Sequence, residues 1–276
     1  MNLQDILVWS ARLAGCDSVP ADSQVYVETE SDVHRVLFGI DTSLAEILWA
    51  QQNGFDAVIA HHPLGDGART RMPEIVHRQV DQMRAEGIAR DVAERAVGAR
   101  LEAVARRVHV SNVNALVDGA RLIGMPLCNV HLACDIITRN ALIELLRRRA
   151  GADSTVGEAI EWLNDGFPEY VRGHARPQVW AGSTSNRLGR WTVAMAGGTN
   201  GGFPVFNEYF QAGVNTIFAM HIDEGDLQQL RAAADPANAL VITGHMTSDS
   251  IGINTVIAGL QRRGIEVVRT GGVVAP

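Results

Sequence analysis

Histidines and carboxylates recur in this chain at the ends of short apolar runs, which is where a sheet protein keeps reactive groups. Ala57 to Ala60 has the pattern of a strand buried on both faces, and His61 and His62 follow it directly. Pro63 biases His62 towards an extended backbone and stops a helix or ladder from continuing, so the two rings leave one rigid point in different directions. Adjacent imidazoles splayed in this way suit two metal ions, one each, better than a single ion. A His-His pair in a surface turn is the alternative on this segment alone.

The pattern repeats. Leu127 to Val130 delivers His131-Leu-Ala-Cys-Asp135, Thr216 to Met220 delivers His221-Ile-Asp-Glu224, and Ala239 to Thr243 delivers Gly244-His245-Met-Thr-Ser-Asp249. The C-terminal edge of a parallel sheet is where ligands collect. In a strand or turn, His131 and Asp135 need not share a face. His245 and Asp249 can converge if Ser248 and Asp249 open the next helix. Mixed imidazole and carboxylate donors suit zinc, iron, manganese, cobalt or nickel rather than calcium or magnesium. A carboxylate spanning two such ions would give the paired site that activates water for hydrolysis.

The elements that must position these groups alternate. Leu3 to Leu13 has helical spacing, and Asp22 to Glu30 reads as a polar, exposed segment. Val36 to Ile40 reads as a strand, Asp41-Thr42-Ser43 offers helix caps, and Leu44 to Gln52 reads as a helix ending at Gly54. With the strand before His61 this makes a parallel βαβ unit, in which Asp41 is favoured as a cap over a partner of the metal. Glu74 to about Arg107 predicts a long helix or a pair, its arginines solvated. Val113 to Leu122 and Ile143 to Arg149 predict further helices. The stretch from Val156 to Leu188 yields only a helix to Leu163 and a turn near Gly173 to Pro177. Trp191 to Ala196 predicts a strand running into Gly197-Gly-Thr-Asn-Gly-Gly202, a turn suited to anion approach or to a tight bend beneath a metal centre. Helices Leu227 to Ala234 and Ile251 to Arg262, with a strand Ile265 to Val268, complete an α/β fold of two related, facing lobes.

Composition narrows the function. A chain of 276 residues with 46% hydrophobic content can bury a large core, and a formal charge of −7 argues against general nucleic-acid binding. With no apolar run of membrane-spanning length and no basic leader, a cytoplasmic location is expected. Three cysteines without zinc-site spacing predict reduced thiols rather than disulfides. The chain has no lysine, which excludes a Walker-type phosphate loop, a Schiff base and a lysine base.

Asp41, Asp56-Ala-Val-Ile-Ala-His-His-Pro-Leu64, His131-Leu-Ala-Cys-Asp135, the glycine turn at 197 to 202 and Gly244-His-Met-Thr-Ser-Asp249 together resemble the Nif-three-like family, from about Val36 to Val268. Its members are also labelled homologues of GTP cyclohydrolase type 2. The resemblance implies mixed, largely parallel sheets in two lobes, residues 1–150, whose helical segment at 74–122 is expanded relative to the family, and 151–276, with a dinuclear metal site between them. It implies that His61, His62, Asp135, His245 and Asp249 hold two divalent metal ions, Asp135 and Asp249 being the candidate bridges. His131 matches the first position of the family's His-Thr-Asn-Leu-Asp box, and His221 falls where the family has a histidine near a strand end; both are candidate catalytic residues. The family also implies a hexamer, a homo-oligomer with a small, purine-nucleotide-like substrate, while composition and charge predict neither membrane nor nucleic-acid partner. A non-catalytic metal-binding or regulatory assembly protein is the competing reading. The chain departs from the family in having Asp249 where glutamate is usual, and in replacing Thr-Asn-Leu by Leu-Ala-Cys between His131 and Asp135.

Overall fold

The computed structural model describes all 276 residues. Nine strands run in chain order as β1 (Gln24–Val27), β2 (Arg35–Gly39), β3 (Ala57–Ala60), β4 (Leu127–Asn129), β5 (Gln178–Ala181), β6 (Trp191–Val193), β7 (Thr216–Ala219), β8 (Ala239–Ile242) and β9 (Glu266–Thr270). The chain divides into two compact units, and each gathers more than one stretch of sequence. The first contains Met1–Ile75, Ala105–Ile137 and Asp249–Ala275; the second contains Val76–Val104 and Thr138–Ser248.

The first unit holds a five-stranded sheet of order β1-β4-β3-β2-β9. Only β1 is antiparallel, pairing with β4 through a bulge between Val25 and Val27. Every residue of β3 is buried, as a central strand covered on both faces requires. The helix Leu44–Gln52 crosses from β2 to β3 and buries Ile47 and Ala50 against Leu37, Val58, Phe55 and Leu127. Its cap is Ser43, whose side chain accepts from the first turn while Glu46 accepts from the Ser43 backbone. Asp41 is therefore not the cap that the sequence favours, and its carboxylate is available for other work.

The segment Asp22–Glu30 also departs from expectation. It is not an exposed polar stretch, because Gln24–Val27 forms the edge strand and Asp22 is fully buried. A four-residue strand with one buried side chain, Tyr26, leaves almost no periodic signal, and its place is fixed by ladder bonds and by Asn129.

The second unit holds a four-stranded sheet of order β5-β8-β7-β6, again with a single antiparallel edge, β5 against β8. The long helical stretch resolves into helices Met72–Val76, Arg78–Ala85 and Arg90–His109. Val80, Met83, Ala93 and Val97 join Phe206, Tyr209, Ile217 and Leu240 in one core. No helix is long and apolar enough to cross a membrane.

Candidate metal centre

The backbone at the end of β3 is pinned before any side chain acts. The His61 N–H donates to Gly39 O at 2.8 Å and the His62 N–H to Ile40 O at 3.1 Å, so the pair is tied to the end of β2. Gly271 closes the same corner: its carbonyl accepts from the Ile40 and Asp41 N–H groups, and its φ of +52°, with Asp41 O crowding any added Cβ, leaves room only for glycine.

Three histidines then share one arrangement. His61 Nδ1 lies 3.0 Å from Val130 O, His62 Nδ1 2.8 Å from Asp41 Oδ1, and His131 Nδ1 2.6 Å from Asp22 Oδ2. Each of these oxygens can only accept when the carboxylates are ionised, so each ring donates from Nδ1. In the neutral ring this leaves the lone pair on Nε2, the arrangement by which outer acceptors orient metal-binding histidines. The three rings cluster with centroids 4.8, 5.0 and 5.8 Å apart.

The Nε2 atoms face two carboxylates. His61 Nε2 is 3.3 Å from Asp135 Oδ1 and 3.7 Å from Asp249 Oδ1; His62 Nε2 is 3.6 Å from Asp249 Oδ2; His131 Nε2 is 3.8 Å from Asp135 Oδ2. Each carboxylate thus spans two imidazoles, one oxygen to each. The donor atoms of His61, His62 and His131, and those of His61, Asp135 and Asp249, lie within 4.8 Å of one another in each group. With metal–ligand bonds of about 2.1 Å, two donors on one ion stand roughly 3 to 3.5 Å apart, close to the shorter separations here.

Burial supports the same fit. His61 is 0% exposed, Asp249 1% and Asp135 6%, and His61 Nε2 and Asp135 Oδ1 face each other without completing a well-formed hydrogen bond. Buried carboxylates at this density are costly unless paired or holding a cation. Burial opposes charge on His61, but Asp249 and Asp135 outweigh it and raise the imidazole well above its ordinary value. His131 shifts the same way, burial again opposing and Asp135 and Asp22 prevailing. Asp135 is lowered, since His131 and His61 overcome the burial that would raise it. Burial pushes the Cys134 thiol beside His61 above its ordinary value.

His131 and Asp135 do share a face, contrary to the open reading of the sequence. The helix Leu132–Arg149 starts immediately after His131, far earlier than Ile143, and places Asp135 in its first turn. The last helix likewise begins at His245, four residues before Asp249, so these two side chains also fall on one helical face. Gly244 precedes it at φ +89°, where a Cβ would meet Ala175 and Thr247. In the second unit the His221 and His245 rings lie 4.8 Å apart, and His221 Nδ1 is 3.0 Å from Asn200 Nδ2. The glycine turn is occupied by protein: Gln79 donates to Gly197 O and Thr199 O, and Arg100 bonds Asn200, Asp223 and Asp226. Arg100 is thus not one of the solvated arginines the helical pattern suggests.

One partner escaped the sequence reading and another was ranked too low. Asp22 sits in a segment with no recognisable motif, and its only signal is a carboxylate just before an edge strand. Asp41 stands at the end of β2 as the histidines stand at the end of β3, but the sequence favours it as a helix cap over the His62 partner it is here.

Fold and donor set together define an α/β protein with two largely parallel sheets and a buried imidazole–carboxylate cluster able to hold metal. The solved structures it is similar to agree. A NIF3 superfamily protein from Sphaerobacter thermophilus matches with a TM-score of 0.93 and 35% identity, covering 99% of this chain and 98% of that one. Reduced HcgD from Methanocaldococcus jannaschii matches at 0.60 and 13% over 98% and 97% of the two chains. A Bacillus cereus protein related to NIF3 matches at 0.54 and 10% over 98% and 96%. The chain belongs to the NIF3 superfamily. No family model and no curated protein matches it.

Proposed function

We propose that this protein is a dinuclear metal-dependent hydrolase of a small nucleotide-like substrate. The observation that carries the reading is the common orientation of His61, His62 and His131, each with Nδ1 on an oxygen and Nε2 towards Asp135 or Asp249. In this reading His61, His62, Asp135, His245 and Asp249 would hold two divalent transition-metal ions, zinc, iron, manganese, cobalt or nickel, with Asp135 and Asp249 as the candidate carboxylates shared between them. When bound, such a pair supplies Lewis acidity and activates water.

The chain's own residues do the rest. Val130 O, Asp41 and Asp22 hold the three rings in orientation, and the last helix brings His245 and Asp249 on one face. His131 and His221 move protons beside the reacting atoms. The nucleotide-like substrate is proposed from the cyclohydrolase label that the resemblance carries and the hexamer from the same resemblance, while the cytoplasmic location and the lack of a nucleic-acid partner are proposed from composition and charge.

The test is elemental analysis of the purified protein joined to an unbiased metabolite-depletion screen. The reading expects bound metal, depletion of a nucleotide-like compound, and loss of both in His62→Ala. Metal loss in that variant with hydrolysis intact contradicts catalysis at this site. Tight metal binding with no turnover across nucleotides and phosphoesters replaces the enzyme with a metal-binding assembly protein.

A further inference from the structure

His221 is wired differently from the other clustered histidines. Arg100 Nη2 donates to Asn200 Oδ1 at 2.9 Å, and Asp223 and Asp226, each 2.9 Å from the same nitrogen, hold the guanidinium in place. A guanidinium has no acceptor, so the Asn200 atom facing it must be the amide oxygen, which settles the orientation of an amide whose two ends are otherwise easily exchanged. The amide nitrogen then faces His221 Nδ1 at 3.0 Å, and an amide nitrogen can only donate. His221 Nδ1 must accept, and the neutral ring carries its proton on Nε2. Asn200 is itself buried, 7% exposed, so water does not readily take its place.

We infer that His221 is a fixed hydrogen-bond donor at Nε2 rather than a metal ligand there, with Arg100 and Asn200 as positioning residues that keep its proton on that nitrogen. His61, His62 and His131 present a lone pair at Nε2; His221 presents N–H. A ring of this kind orients a substrate oxygen or delivers a proton to it, and it does not bind a cation at Nε2 while that proton is in place. Its use on a substrate rests on the hydrolase reading above, whereas the position of the proton rests only on the hydrogen-bond chain.

The experiment is solid-state nitrogen NMR on the full-length protein labelled with nitrogen-15 and carbon-13 in histidine. Carbon couplings distinguish Nε2 from Nδ1, and His221→Gln identifies the His221 signals by their loss. The expected spectrum shows His221 protonated at Nε2 and unprotonated at Nδ1, with the opposite tautomer in Asn200→Asp, whose carboxylate accepts from Nδ1. If Asn200→Asp fails to fold, Arg100→Met releases the amide to turn, and some His221 should then shift to the Nδ1–H form. A wild-type spectrum with His221 protonated at Nδ1 overturns the inference. A zinc titration separates the roles further: His221→Gln should retain the wild-type zinc stoichiometry, and loss of a zinc equivalent would make His221 a ligand after all. If the wild type takes up no zinc, the metal reading fails while the spectrum still reports where the proton sits.

Discussion

At the scale of single residues, the outer acceptors decide whether the three imidazoles present usable lone pairs. Asp22 is fully buried and 2.6 Å from His131 Nδ1, whereas the Asp41 side chain is 82% exposed although 2.8 Å from His62 Nδ1. Removing such a partner typically weakens metal binding by about 10- to 100-fold. Asp22→Asn should therefore fall near the upper end of that range and Asp41→Asn near the lower, because water can replace an exposed acceptor; competition with a chelator measures both. Proton linkage has a defined sign here. The raised imidazole of His61 contributes stability to the metal-free fold that is complete below its unfolded value and is lost as pH rises through the folded one. The lowered Asp135 contributes stability present above its unfolded value and lost as pH falls through the folded one. The metal-free protein should thus be most stable between these two transitions. A cation at Nε2 must displace the His61 proton, so metal uptake should release protons and tighten as pH rises, which calorimetry in buffers of different ionisation enthalpy would detect. Much at this scale was legible: His61, His62, Asp135 and Asp249 stand at ends of apolar runs or helices that sequence patterning marks. Asp22 was not, because nothing local distinguishes a buried carboxylate from a solvated one.

At the scale of elements, one side chain knits the site's supporting strands. Asn129 Oδ1 accepts from the Gln24 N–H and the Tyr26 hydroxyl, while Nδ2 donates to Asp22 O and His61 O, so a single amide joins β1, β4 and the end of β3. Each buried group left unsatisfied costs about 1–3 kcal/mol. Asn129→Ala should destabilise the fold by roughly 3 kcal/mol or more, since relaxation and water entry recover only part of the loss. Chemical denaturation with an unchanged m value would confirm it, and a loss below about 0.5 kcal/mol would show that the amide is dispensable. The strands β2, β3, β4, β7 and β8 could be read in advance because each is a continuous apolar run between turn residues. The edge strands β1 and β5 could not, since both are four residues long, carry at most one buried side chain and depend on partners far along the chain. The helix Leu132–Arg149 was read eleven residues short because its first turns carry the His-Leu-Ala-Cys-Asp box, whose apolar residues do not repeat at helical spacing.

At the scale of the whole molecule, the first unit draws His61, His62, His131, Asp135 and Asp249 from three separate stretches of sequence, so no local segment forms the cluster alone. Metal binding and folding of this unit should consequently be coupled: added zinc should raise the unfolding midpoint, by an amount that grows with free zinc concentration, and Asp249→Ala should lose that response. The kinship of the chain with the NIF3 superfamily agrees with the family resemblance carried by the His-His-Pro-Leu and Gly-His motifs. Which metal and which substrate belong to the site is a question of chemistry beyond the fold. The central claim is that these imidazoles and carboxylates hold a pair of cations, and anomalous diffraction at the absorption edges of zinc, iron, manganese, cobalt and nickel tests it most directly. The account predicts two peaks, each within about 2.3 Å of an imidazole nitrogen or carboxylate oxygen among His61, His62, Asp135 and Asp249. Crystals grown with any of these metals that show no anomalous peak at those side chains would contradict it.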